Sequence, residues 1–272
     1  MGLTVPSSRP NITPKLLLRE LTAGAVDDAD RREASVSMAD LLALIGTAPP
    51  PRDALLALEP GEQVKIIAEV KRASPSRGQL AEIQDPAALA RTYEKAGASA
   101  ISVLTEERRF RGSLDDLDAV RQAVSIPVLR KDFIATDYQV YESRAHGADI
   151  VLLIVAALDQ HTLSHLHQLV KDLGMVALVE THSLDELSRA IDIGAALIGV
   201  NARDLDTFEL DRDLFGQLSP HIPPAAISIA ESAVRSADDV AHYRASGADV
   251  VLVGEALVTT DPLVTMAEFL SS

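Results

Sequence analysis

From residue 64 onward, short apolar runs alternate with longer amphipathic stretches. The runs occupy residues 64–70, 100–104, 126–129, 149–155, 175–179, 196–200, 226–230 and 249–253. They are rich in Val, Ile and Leu without polar alternation, the pattern of strands covered on both faces, and each gap is long enough for a crossover helix. The pattern predicts eight βα units. A coarser repeat lies inside it: Ala96-Gly97-Ala98, His146-Gly147-Ala148, Ile193-Gly194-Ala195 and Ser246-Gly247-Ala248 each end a helical stretch just before runs two, four, six and eight. A glycine just past a helix end followed by tight entry into a strand explains each copy. The recurrence, about every fifty residues, marks a (βα)₂ unit used four times. Eight such units close into a (β/α)₈ TIM barrel. The competing α/β architecture, a doubly wound open sheet, usually carries a glycine-rich dinucleotide loop after its first strand, and no GxGxxG occurs here.

The first 60 residues are built differently, holding seven of the 14 prolines. Two or three short helices fit this segment. Thr13-Pro14 reads as an N-cap with proline at the first helical position, Leu16, Leu17 and Leu21 recur at helical spacing, and Ser37 with Asp40 resembles a capping box. The expected organisation is an N-terminal helical extension over residues 1–60, packed on the barrel and not independent, and a catalytic barrel over residues 61–272.

Composition narrows the function classes. With 47% hydrophobic and 24% charged residues, the chain can build a full-sized core. Its 25 Lys and Arg against 40 Asp and Glu give a net charge of −15, which opposes nucleic-acid binding led by phosphate electrostatics. With no cysteine, disulfides, thiolate zinc sites and a Cys nucleophile are excluded, and the cytoplasm is the expected location. The longest apolar run, residues 150–158, is less than half of the ~20 residues a spanning helix needs, so no membrane partner is expected. Met1-Gly2 opens like a myristoylation signal, but Pro6 stands where Ser or Thr is required.

In a (β/α)₈ barrel the chemistry sits at the C-terminal ends of the strands, so the residues closing each run are the candidates. Run one closes in Glu69, Val70 and Lys71, run three in Lys131-Asp132, run five in Glu180, run six in Asn201 with Arg203 two beyond, run seven in Glu231-Ser232 and run eight in Gly254-Glu255. Alternate strands supply each layer of a barrel interior, so Glu69 or Lys71, Lys131, Glu180 and Glu231 are expected around one ring. A single strand-end charge is usually a solvated rim group. Five of both signs at one height would cost stability if burial were their only role, and they would shift one another's pKa values toward acid–base work. Glu231-Ser232-Ala233 and Gly254-Glu255-Ala256 both lead from a strand into a short helical turn, and the loops after strands seven and eight are the recurrent phosphate site of this fold. Two other clusters read as structural. His161, His165 and His167 lie in an amphipathic stretch and predict a surface helix; Asp115, Asp116 and Asp118 lack the glycine and terminal glutamate of a calcium loop and predict the first turn of a helix.

The strand-end motifs resemble those of the indole-3-glycerol-phosphate synthase family of tryptophan biosynthesis. The likeness runs through IAEVKRASPSRG (67–78), SVLTEERRFRGSL (102–114), LRKDFI (129–134), ADIVLLI (148–154), LVETH (178–182), IGVNARDL (198–205), AES (230–232) and VLVGE (251–255). It spans about residues 64–258, with motifs on all eight strands in order. The resemblance implies a cofactor-free, metal-free decarboxylating lyase acting on a small phosphorylated substrate. The expected reaction is ring closure of 1-(2-carboxyphenylamino)-1-deoxyribulose 5-phosphate to indole-3-glycerol phosphate, with loss of CO₂ and water. It further implies Lys131 as general acid, Lys71 paired with the substrate carboxylate, and Glu180 in the dehydration, with Glu69, Asn201 and Glu231 orienting groups. Ser74, Ser232, Ala233, Gly254 and Glu255 would hold the phosphate, Phe110, Phe133 and Leu205 would wall the aryl ring, and Arg203 would position the anthranilate end. The family usually carries glycine where this chain has Ala233. A monomer is expected, with association with other pathway enzymes left open.

Two readings from other classes stay in view. A class I aldolase would use Lys131 or Lys71 through a Schiff base. A non-catalytic barrel kept as a binding module would bind ligand without turnover.

Overall fold

The computed structural model describes residues 16–75, 77–204 and 207–272. Eight parallel strands form a closed barrel: β1 (Lys65–Val70), β2 (Ala100–Leu104), β3 (Val128–Lys131), β4 (Ile150–Ile154), β5 (Val176–Thr181), β6 (Leu197–Asn201), β7 (Ile227–Glu231) and β8 (Val250–Val253), with β8 closing on β1. Among the described residues, no helix is long and apolar enough to cross a membrane.

Strand register fixes the height of every inward side chain. Glu69 pairs through Ser102 with Leu129, and Leu152 pairs with Leu178. Glu180 pairs through Gly199 with Ile229, and Glu231 pairs through Leu252 with Ile67. Each step across two strands therefore rises by two residues, the stagger of an eight-stranded barrel with shear of about eight. Glu69, Lys131, Glu180 and Glu231 thus form one closed layer on β1, β3, β5 and β7. Beneath it lie Ser102, Leu152, Gly199 and Leu252 from the even strands, then Ile67, Leu129, Leu178 and Ile229. Apart from Ser102, the side chains of the lower layers are buried hydrocarbon; charge begins only one layer below the mouth.

The quarter repeat has a shared local cause. At each copy the glycine sits in the left-handed region, with φ of 99° at Gly97, 78° at Gly147, 69° at Gly194 and 92° at Gly247. The following alanine N–H reaches back to the third-last helical carbonyl, as in Ala98 N–H to Tyr93 O (3.0 Å) and Ala248 N–H to Tyr243 O (3.0 Å). This is the Schellman ending that permits an immediate turn into the strand.

The N-terminal segment runs from one end of the barrel to the other. Helix α1 (Leu16–Glu33) is a single 18-residue element rather than a short one. Its buried leucines are Leu18 and Leu21, while Leu16 is exposed, so the inward stripe is offset from the one expected. Helix α2 (Met38–Thr47) starts at the anticipated Ser37–Asp40 capping box and packs on α6 (Asp137–Ala145). The short α3 (Ala54–Ala57) lies at the N-terminal ends of the strands, where Arg52 N–H donates to Asp149 Oδ1 (2.7 Å) just before β4. Thr13-Pro14 lies outside the described residues.

Two expectations need correction, one on a strand boundary and one on a helix face. The third run was placed at residues 126–129, but the strand is Val128–Lys131. Its second half is charged because Arg130 points outward into a buried polar socket, contacting Thr105, Asp132, Gln139, Glu142 and Ser143. The three histidines lie on α7 (Gln160–Asp172), but His167 is buried against the barrel rather than on a surface face. Asp115 and Asp116 do occupy the first turn of α5 (Leu114–Ala123).

Candidate active site

The charged layer and the groups just above it form the floor of a cavity at the C-terminal end of the barrel. Two glycines make room for the carboxylates. A Cβ on Gly199, one layer below, would stand 2.2 Å from Glu231 Oε1, and one on Gly254, one layer above, would stand 2.5 Å from Glu69 Oε1. Any larger residue there would displace a carboxylate.

Lys131 is the centre of charge. Its Nζ contacts Glu231 Oε2 and lies 3.3 Å from Glu180 Oε2. Burial opposes its protonation, but Glu231, Glu180 and Glu69 together outweigh that and raise its pKa above the ordinary lysine value. The two carboxylates on Lys131 differ. Burial disfavours ionisation of Glu180, yet Lys131, His182 and Asn201 outweigh it and hold the carboxyl below the usual range. Glu231 is pushed up, by burial first, against the pull of Lys131 and with help from Glu180. Its Oε1 has no hydrogen-bond partner among the described residues. Two like carboxylates share one ammonium, so the more solvated-by-protein of the two keeps its charge and the other is the easier to protonate.

Lys71, just past β1, lies 2.7 Å from Glu69 Oε1, and Ser102 Oγ donates to Glu69 Oε2 at 3.2 Å. Lys71 therefore stands above the layer, with Glu69 within it. Asn201 links two parts of the floor. Its Nδ2 donates to Glu180 Oε1 (3.2 Å), while its Oδ1 accepts from Ser232 Oγ (2.8 Å) and Arg203 N–H (3.0 Å).

At one side of the mouth, Phe110 and Phe133 have ring centroids 6.2 Å apart, and Leu21 and Pro75 join the same lining. Phe110 is placed by its loop. The buried Glu106 carboxylate accepts from the N–H groups of Arg108, Arg109 and Phe110 at 2.7–3.1 Å. Gly112 closes the loop so tightly that a Cβ would lie 2.0 Å from Leu104 O. On the opposite side the cavity is lined by Ser74, Arg203, Ser232, Ala233, Gly254 and Glu255. Glu255 pairs with Arg77.

The expected helical turn after β7 is absent. Ser232 and Ala233 instead take consecutive left-handed conformations, φ 68° and 55°, and α10 (Ala237–Ala245) starts only four residues later. A Cβ is strained there, which is why glycine suits the second position. After β8 the turn is present: Gly254 caps the five-residue α11 (Glu255–Thr259). Fourteen of the fifteen residues singled out from sequence line this one cavity, and Leu205 lies outside the described residues.

The geometry can be set beside known proteins. A family model described as indole-3-glycerol phosphate synthase matches residues 18–268. The chain belongs to the indole-3-glycerol phosphate synthase family. It is 66% identical over 256 residues to the indole-3-glycerol phosphate synthase of Leifsonia xyli subsp. xyli, covering 94% of this chain and 98% of that one. It is 54% identical to that of Mycobacterium avium, covering 96% of both. Among solved structures, 3-hexulose-6-phosphate synthase from Salmonella typhimurium superimposes with a TM-score of 0.60 at 17% identity, over 76% of this chain and 97% of that one. That likeness shows the barrel fold alone.

Members of the indole-3-glycerol phosphate synthase family are decarboxylating, ring-closing lyases of tryptophan biosynthesis, and this chain is one of them. Sequence reasoning overlooked three groups at its site. Leu21 brings α1 into the cavity wall, Glu106 shapes the Phe110 loop, and His182 lies against Glu180 at 3.3 Å. Glu106 and His182 stood inside the motifs above, but neither closes a strand, and only the folded loops turn them toward the floor.

Proposed function

We propose that the charged layer carries out the ring closure on 1-(2-carboxyphenylamino)-1-deoxyribulose 5-phosphate by acid–base chemistry from this chain's own side chains. The substrate's phosphate lies by Ser74, Ser232, Ala233, Gly254 and Glu255, and its aryl ring lies by Phe110 and Phe133. Anchoring both ends holds the carboxyl-bearing aromatic carbon against the ketone carbon in near-attack geometry. As that carbon–carbon bond forms, Lys131 gives a proton to the ketone oxygen. The carboxylate, paired with Lys71 and near Arg203, leaves as CO₂, and its bonding electrons restore the aromatic ring. The new hydroxyl then leaves as water with a proton from Lys71, which the loss of CO₂ has freed, while Glu180 takes a proton from the adjacent ring carbon. Glu69, Asn201 and Glu231 hold the lysines and substrate hydroxyls in place.

The supporting observation is the unequal treatment of the two carboxylates on Lys131. Glu180 is held as a base, Glu231 is the easier to protonate, and Lys131 enters the reaction charged. The same ammonium argues against a Schiff-base aldolase, whose lysine must be a free amine. The N-terminal segment, from residue 16 to residue 60 of the described chain, belongs to the barrel as an extension rather than a separate domain, and the enzyme works as a cytoplasmic monomer.

The test uses the absence of Trp, which leaves only four tyrosines as background for indole emission. Mixing enzyme with the aryl-amino ribulose phosphate should give rising indole fluorescence, strongly reduced in E180Q. A borohydride-trapped adduct on Lys131 or Lys71, or full activity in E180Q, would overturn the assignment.

A further inference from the structure

His182 lies just past β5, does not itself line the cavity, and has a side chain only 14% exposed. It sits between two carboxylates. Its Nε2 lies 3.3 Å from Glu180 Oε1, an ion-pair contact off hydrogen-bond alignment. Its Nδ1 lies 3.1 Å from Glu186 Oε2, and the same Glu186 oxygen accepts the His182 backbone N–H at 2.8 Å. Glu186 is in the first turn of α8 (Leu184–Asp192). One carboxylate thus grips both the backbone and the ring of His182 and holds the other ring nitrogen beside Glu180.

The geometry points to His182 as a positioning residue that fixes the Glu180 carboxylate in its basic form and presents its second oxygen to Lys131, with Glu186 as the clamp that keeps the imidazole in place. The inference rests on the assignment of Glu180 above. Glu180 then has a cation on each side, His182 at Oε1 and Lys131 at Oε2. Asn201 from β6 adds a neutral donor to Oε1. The remaining charged neighbours, Glu231 on β7 and Glu69 on β1, share the layer. They oppose the charge on Glu180; Lys71 pairs with Glu69 from above, so Lys131 is the one ammonium within the layer that faces all three carboxylates. A second cation outside the cavity relieves that imbalance without occupying substrate space. Burial lowers the imidazole pKa, but Glu180 and Glu186 outweigh it and push it up to about 10, which keeps His182 a cation through neutral pH.

The test compares H182Q, H182K, E186Q and E180Q as full-length enzymes, by indole fluorescence across pH 3 to 9. H182Q removes the cation; we expect kcat to fall about tenfold at pH 7 with KM changed less than twofold, and the acidic limb of the kcat profile to move up by about one unit. H182K, which keeps the charge, should return the limb toward that of the parent. E186Q loosens the clamp from a helix surface and should move the limb the same way by less, and it carries the test if H182Q does not fold. An unmoved limb in both H182Q and E186Q, with E180Q inactive, would overturn the role of His182 and leave Glu180 standing. Activity retained in E180Q would instead remove the reading on which the inference rests.

Discussion

The two ends of the barrel handle charge in opposite ways. At the N-terminal end, Asp149 is completely buried and fully engaged: it accepts from Arg52 N–H (2.7 Å) and Val128 N–H (2.8 Å) and faces Arg121 at 3.4 Å. Half a barrel away, Asp249 repeats the arrangement, accepting from Ser228 N–H and Oγ at 2.8 Å each. Both aspartates follow a Gly-Ala helix ending and tie the start of their strand to the strand before it. At the C-terminal end, four ionisable side chains share a layer, three of them carboxylates, with only Lys131 inside it as counter-charge. Glu231 Oε1 and His182 Nε2 lack aligned partners, and Ser232 and Ala233 sit in left-handed strain. Buried polar groups that are fully paired secure a fold; groups left under-paired are available to a substrate. One end closes the barrel, and the other remains short of partners.

That contrast can be broken most forcefully at Lys131. K131M is expected to lower turnover about a thousandfold, the scale of losing a general acid in a preorganised site, while cooperative unfolding persists. Indole fluorescence and a circular-dichroism melt would show it; a protein that loses its fold instead would erase the distinction between the ends. D149A is the mirror experiment. Leaving two buried N–H groups unpaired should cost about 3 kcal/mol in urea unfolding with kcat within twofold of the parent.

The pH dependence of stability sharpens the comparison at smaller scale. His182 has its pKa raised from the ordinary 6.5 to about 10. Its ion pairs therefore contribute fully below about pH 6.5, and that contribution is lost as pH rises through about 10. Urea midpoints measured from pH 6 to 10 should fall more steeply for the parent than for H182Q. The smallest effect is expected from A233G. Releasing a methyl from a left-handed position offsets the added chain entropy of glycine, so stability should rise by less than about 1 kcal/mol, with a slightly lower KM. A fall in melting temperature would mean that the methyl makes contacts outweighing the strain.

The acidic cluster in the N-terminal segment shows how tertiary context reassigns a feature. Asp27, Asp28 and Asp30 form an acidic stretch near the end of α1. In the fold, Asp28 is buried and bound by Arg108 from the loop after β2 and by Arg31. Burial works against its charge, and the two arginines outweigh that, holding its pKa below the usual value. Gly24, one turn earlier, leaves the space that Arg108 fills. The same helix brings Leu21 to the cavity, so α1 is a wall of the site as well as a cover.

The sequence by itself determined the barrel, its fourfold repeat and a ring of Lys131, Glu180 and Glu231 with either Glu69 or Lys71, because strand periodicity and glycine helix endings are local properties; the register then chose Glu69. It also marked every side chain whose position follows from closing a strand. Only the tertiary structure decided the rest: that Arg130 faces outward, that α1 walls the mouth, that Glu106 shapes the Phe110 loop, and that His182 stands beside Glu180. Those placements depend on contacts between residues distant in the chain, or on loop conformations with no period to read. The division of charge between Glu180 and Glu231 is of the same kind. Two glutamates on like strands in one layer are equivalent by pattern, and only their neighbours across the barrel make one a base and leave the other ready for a proton.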